Sequence, residues 1–215
     1  LKEHGKEKEL PKLQILRRSN NKPFFLWKLH FAEVFQKKGG FDVVIANPPY
    51  IRADSEEDGY LKFRRELEST GKYKTVYEKW DIMVPFIEWG LYLGNNHGQL
   101  VYIVSNAICT SKYALKLLDL IQEKYFVNTI DYFDDMQVFD AGVIPVVLNI
   151  SKNNINDVVK KIVRTGSFFS ITSENKLKTD EFKSLGRNAF RNGYTPIEFD
   201  TSILSLGDIC YLSVG

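Results

Sequence analysis

Residues 41–50 read FDVVIANPPY. The run FDVVIA at 41–46 is β-branched and almost wholly apolar, which predicts a parallel strand covered on both faces. Two prolines cannot continue a central ladder, so the strand stops at Asn47. Upstream, Gly39-Gly40 breaks the chain. Before it, FFLWKLHFAEVFQ (24–36) is densely aromatic, with a period that fits strand or helix. Downstream, Ile51 to Lys79 is polar and rich in both charge signs, with a helix expected around Glu56 to Glu68. Asp81 can cap a helix to about Leu93, delayed or kinked by Pro85. Gly94 to Gly98 reads as a turn and Leu100 to Val104 as a buried strand. Ser111 can cap a helix whose Ala114, Leu117, Leu118, Ile121 and Tyr125 form one apolar stripe. Phe126–Phe133 and Val143–Ile150 read as strands. About nine residues separate them, too few for a parallel crossover, so the pair is expected to be antiparallel. A short strand near Val158–Val163 closes the pattern. The expected fold is α/β, a mostly parallel sheet with an antiparallel hairpin at one side.

Composition excludes several classes. Of 215 residues, 44% are apolar and 26% charged, which rules out disorder over the whole chain as well as collagen-like and coiled-coil classes. The net charge of +2 is too small to argue nucleic-acid binding by itself. Cys109 and Cys210 cannot make a disulfide framework, so a reducing cytosol is the expected setting. No apolar run reaches a membrane span, and no membrane partner is expected. His4, His30 and His97 lack metal-ligand spacing with the cysteines, so no metal site is expected. Cys109 reads as a small apolar residue rather than a nucleophile. Lys37-Lys38, Arg64-Arg65 and the Lys72/Lys74 pair read as solvated charge, with phosphate contact a second reading for the last two pairs.

Asn47-Pro48-Pro49-Tyr50 stands where open α/β sheets bind ligands, at the carboxyl end of a strand. The Asn47 side-chain oxygen and the Pro48 carbonyl are acceptors, and the prolines hold them rigidly. Two acceptors suit an amino group with two N–H bonds. Tyr50 offers a face for a planar base. The alternative is an ordinary turn, since Asn and Pro are turn residues.

FDVVIANPPYI resembles the catalytic motif of amino-group methyltransferases that use S-adenosylmethionine. The run PFFLWKLHFAEVFQKKGGFDVVIANPPYI (23–51) resembles, more specifically, the DNA adenine-N6 methyltransferase domain of combined type II restriction–modification enzymes. WDIMVPFIEWGLYL (80–93), GQLVYIVSNAI (98–108) and DDMQVFDAGVIPVVLNISK (134–152) resemble that family's following blocks, in its order. The resemblance implies an incomplete Rossmann-like class I S-adenosylmethionine-dependent sheet, transferring methyl to N6 of a flipped-out adenine. It implies S-adenosyl-L-methionine as cofactor, and Mg2+ only for an endonuclease part outside this chain. Implied partners are double-stranded DNA and the rest of a parent polypeptide in a prokaryotic cytoplasm.

By the same resemblance, Asn47, Pro48 and Tyr50 are catalytic, Pro49 and Phe139 contact substrate, and Asn47 and Phe86 face the cofactor. Core packing is the competing reading for Phe139 and, more strongly, for Phe86. The family's glycine-rich cofactor turn does not precede Asn47, so the chain is expected to be a fragment. Its expected divisions are 1–22 as linker or helix end, 23–165 as the C-terminal part of the catalytic domain, and 166–215 as linker and start of a target-recognition domain. The tail LGDICYLSVG (206–215) resembles the entry to such a domain. Alternatives are a methyltransferase for RNA or protein glutamine, and a non-catalytic DNA-binding fragment.

Overall fold

The computed structural model describes residues 25–51, 59–134, 136, 138–139 and 142–194. The expectations for residues 1–22 and 206–215 lie outside them. Two short helices open it, α1 (Trp27–His30) and α2 (Ala32–Lys38). They lead through Gly39-Gly40 into β1 (Phe41–Ala46). Helices α3 (Tyr60–Ser69) and α4 (Met83–Leu93) follow, then the long strand β2 (Gly94–Ser105). After two 3-10 turns come α5 (Leu115–Lys124), β3 (Phe126–Phe133), β4 (Pro145–Ser151) and β5 (Val158–Arg164). Strand β6 (Ile171–Lys178), α6 (Thr179–Ser184) and a 3-10 turn at Gly186–Phe190 complete it.

The six strands form one sheet in the order β1-β2-β4-β3-β5-β6. β1 runs parallel to β2 and β3 parallel to β5, while β4 is antiparallel to both β2 and β3, and β6 to β5. Four strands, β1, β2, β3 and β5, therefore share one direction. The antiparallel hairpin β3–β4 is present as the short connection required, with β4 inserted between β2 and β3. The fold class is α/β, as the periodicities indicate.

Helices α4, α5 and α6 share one hydrophobic core with the sheet. Val84, Ile87 and Leu91 of α4, with Leu117, Leu118 and Ile121 of α5, are buried against Leu100, Tyr102 and Val104 of β2. The predicted stripe of α5 is that buried face. Ser111, however, makes no side-chain cap, because a 3-10 turn separates it from α5. Asp81 does act near the start of α4: its carboxylate accepts from the Met83 N–H at 3.1 Å. The expected turn at Gly94–Gly98 is a bulge inside β2, where Phe41 pairs with Gly94 but Val43 pairs with Gln99. The Asn95 side chain fills the bulge, donating to Asp42 at 2.7 Å and accepting from the His97 N–H at 2.8 Å.

Three further expectations differ from the structure. First, the described residues cover β1 on one face only. Val44 and Ala46 pack on the core, whereas Val43 and Ile45 are 54% and 76% exposed. β1 is also an edge strand of the sheet formed by the described residues.

Second, the sheet and core continue past residue 165. β6 pairs along β5, Phe182 and Phe190 are buried with the core, and the Tyr132 hydroxyl donates to the Phe190 carbonyl at 2.7 Å. The looseness from 166 onward reflects the exposure of β6, whose residues are nearly all at the surface. An exposed edge strand carries polar side chains on both faces and loses the apolar signal.

Third, Arg64 is not solvated charge. Its guanidinium lies 4.7 Å over the ring of fully buried Trp80 and donates to the Glu78 carbonyl at 3.2 Å.

Gly90 sets the distance of α4 from the sheet. A Cβ there would stand 2.1 Å from the Tyr102 hydroxyl oxygen and 2.7 Å from a Leu100 methyl. Glycine-to-alanine in a helix ordinarily gains about 1 kcal/mol. Overpacking a buried contact costs about 1–3 kcal/mol, and Tyr102, 2% exposed, has nowhere to move. We predict that Gly90→Ala lowers the thermal midpoint by a few degrees, measured by circular dichroism. A midpoint at or above that of the unsubstituted protein would remove the close approach as the reason for glycine.

Candidate functional site

The site forms where β1 ends. β1 and β2 are adjacent and parallel, so their C-terminal ends lie side by side. Because β4 returns antiparallel along β2, the segment before β4 reaches the same end. A hydrogen bond from the Asn106 N–H to the Ile144 carbonyl, 2.9 Å, ties that segment to the exit of β2. The topology thus brings two segments far apart in sequence together. One is Asn47-Pro48-Pro49-Tyr50 and the other contains Phe139.

The rings of Tyr50 and Phe139 are in contact, with centroids 5.4 Å apart and planes inclined by 51°. Pro48 is buried, Tyr50 and Phe139 are half-buried, and the Asn47 and Pro49 side chains are exposed. Pro48 anchors the turn while Asn47 keeps an exposed side chain beside it. The Tyr50 hydroxyl is buried with no hydrogen-bond partner among the described residues. Its burial raises the phenol pKa above the ordinary value, so it stays protonated at neutral pH. Phe86 lies on the first turns of α4. It is 41% exposed, with its ring 6.2 Å from that of Tyr102 beneath it. The core-packing reading of Phe86 is therefore only half met: Tyr102 supports one side, and the rest meets solvent. Cys109 is 5% exposed, and burial pushes its thiol up to about 12. A thiol held neutral in this way is no nucleophile.

Sequence reasoning did not single out the groups that hold the chain beyond the loop. Trp80 donates through its indole N–H to Glu68 at 2.6 Å, pinning α3. Glu88 of α4 accepts from the N–H groups of Lys74 and Thr75 at 2.9 and 3.0 Å, and from the Thr75 hydroxyl at 2.6 Å. Such contacts join residues more than ten positions apart and leave no periodic trace. The signal available was one acidic residue, Glu88, inside the otherwise uncharged helix MVPFIEWGLYL.

The chain is similar to several known proteins. The type II methyltransferase M.BstVI of Geobacillus stearothermophilus is 31% identical over 144 residues, which are 66% of this chain and 24% of that protein. The type II restriction enzyme and methyltransferase RM.Eco57I of Escherichia coli is 24% identical over 172 residues, covering 76% of this chain and 15% of the relative. The chain thus spans a quarter or less of these relatives. Among solved structures, the type IIG restriction endonuclease BpuSI aligns over 69% of this chain and 20% of its own, at 12% identity and a TM-score of 0.49. Residues 2–139 match the family described as the Eco57I restriction-modification methylase, and the chain belongs to that family.

Proposed function

We propose that this chain carries the catalytic loop of a site-specific DNA methyltransferase that transfers a methyl group from S-adenosylmethionine to N6 of an adenine turned out of the duplex. The contact of Tyr50 with Phe139 beside the Asn47-Pro48 acceptors is the observation that carries the reading. Family membership supports it independently.

In this reading the Asn47 side-chain oxygen and the Pro48 carbonyl accept the two N–H bonds of the amino group. Holding both hydrogens favours a pyramidal nitrogen and directs its lone pair away from the loop. No group of unusual basicity is needed. Among the described residues, the exposed Asn47 side chain and Phe86 ring are suited to the cofactor side, and they supply one wall of that site. S-adenosylmethionine would supply an electrophilic methyl group there. Tyr50 stacks on the base, with Pro49 beside it and Phe139 at the base edge. A base held between both rings needs about 7 Å between them, two carbon contact distances, more than the 5.4 Å observed, so Phe139 is given the base edge. Double-stranded DNA is the proposed partner, because extrusion exposes an amino group that pairing otherwise hides.

In the complete protein, Asn47→Ala is expected to lower methyl transfer by several orders of magnitude. DNA affinity should stay largely intact, since phosphate contacts supply most of it. Incorporation of tritiated methyl groups, alongside gel-shift titration, reads both quantities. Near-normal turnover in the variant would refute the role given to Asn47.

Tyr50 offers a separate test. Its hydroxyl has no partner among the described residues, so Tyr50→Phe removes a desolvated group without breaking any hydrogen bond described. Turnover within a few-fold of normal and an unchanged or higher thermal midpoint are expected. Tyr50→Ala removes the stacking face, worth about 1–3 kcal/mol per base, and should lower turnover at least tenfold. A Tyr50→Phe enzyme as impaired as Tyr50→Ala would mean the hydroxyl, not the ring, is what matters.

A further inference from the structure

A second concavity lies on the outer side of the helical layer. It is a groove of about 610 Å3 between α4 and α5, bounded by the 72–74 turn and by Lys28 of α1. Its position follows from the connections. α4 runs directly into the start of β2, and α5 ends one residue before β3 begins. The groove therefore sits toward the N-terminal ends of the strands, opposite the Asn47 loop. Six residues of β1 separate the two ends, roughly 20 Å at the rise of an extended chain.

The lining combines two chemistries. Tyr73, Trp89, Tyr92 and Tyr125 supply aromatic walls. Trp89 and Tyr92 stack with centroids 5.4 Å apart and planes 22° from parallel, and Tyr73 meets Trp89 edge-on. Lys28, Lys72, Lys74 and Lys124 supply cations. Lys28 lies 4.9 Å over the Tyr92 ring and donates to its hydroxyl at 3.2 Å. None of the four lysines is paired with a carboxylate among the described residues. The single carboxylate of the lining, Glu88, is taken up by its three hydrogen bonds to Lys74 and Thr75. Glu88 fixes the turn that carries Lys72 and Lys74, and leaves an excess of positive charge facing the groove.

We propose that this groove binds a nucleotide, with the base against the Trp89–Tyr92 pair and the phosphates among Lys28, Lys72, Lys74 and Lys124. The volume is that of a small-molecule site. Aromatic faces take any base by stacking, while lysines act on phosphate as point charges. A lone anion would leave the aromatic walls unused, and an apolar ligand would leave four like charges in one concavity. A nucleotide satisfies both sets. The same chemistry is offered by a free nucleotide and by a nucleotide of an unpaired strand. The site is separate from the methyl-transfer loop and does not rest on that reading.

Calorimetric titration of the purified protein tests the proposal, using ATP, a ten-residue oligodeoxyadenylate, adenosine and tripolyphosphate. ATP or the oligonucleotide should bind with a dissociation constant on the order of micromolar to tens of micromolar. Adenosine and tripolyphosphate should each bind at least ~10-fold more weakly. The exposed pair Lys72→Gln with Lys124→Gln should weaken binding ~10-fold or more, as should Trp89→Leu. Trp89→Phe, which keeps a ring and guards against misfolding, should retain most of the affinity. Asn47→Ala should leave binding unchanged. The tighter of the two ligands identifies the source of the nucleotide. The proposal is overturned if neither binds below millimolar, if tripolyphosphate matches ATP, if the lysine pair or Trp89→Leu has no effect, or if Asn47→Ala abolishes binding.

Discussion

Helix α4 lies against β1 and β2 only because position 90 has no side chain where the Tyr102 phenol stands. Much of the arrangement follows from that approach. It lets Val44 and Ala46 pack on the core shared by Val84, Ile87 and Leu91, and so holds a strand that has a hydrogen-bonded neighbour on one side only among the described residues. It places Phe86 over Tyr102 near the end of β1 where the Asn47 loop begins. It also carries Glu88 outward to bind the backbone of Lys74 and Thr75, fixing the polar segment that follows the loop. The Tyr102 phenol, pushed up to about 12 by burial, stays neutral, so the contact sets no charge against the helix.

The parts of this fold that the sequence discloses are those decided by local pattern. The apolar run at 43–46, the stripe of α5 and the short link between β3 and β4 each state their structure in consecutive residues. Tyr50 and Phe139 could be named from their motifs, but their contact depends on β4 lying between β2 and β3, a consequence of sheet order. Three features escape for physical reasons. The run at 43–46 is as apolar as a strand buried on both faces, yet the described residues cover only one of them. β6 is polar because it is an exposed edge, and reads as a loop until its pairing with β5 is seen. Arg64 looks like surface charge, but Trp80, sixteen positions away, takes it out of water through ring contact.

The chain's formal charge of +2 conceals a separation that the fold imposes. At the C-terminal ends of the strands, the acceptors of the Asn47-Pro48 turn are neutral. That suits holding a neutral amino group, since a nearby ammonium would compete for the same oxygens. At the opposite end, four lysines share a groove whose one carboxylate among the described residues is bound to backbone. The roughly 20 Å between the ends, from the length of β1, is about two Debye lengths at physiological ionic strength. The lysine field is therefore largely screened before it reaches the loop. Each end keeps its own electrostatic character, while one rigid helix, with Phe86 near its start and Trp89 and Tyr92 near its end, contributes side chains to both.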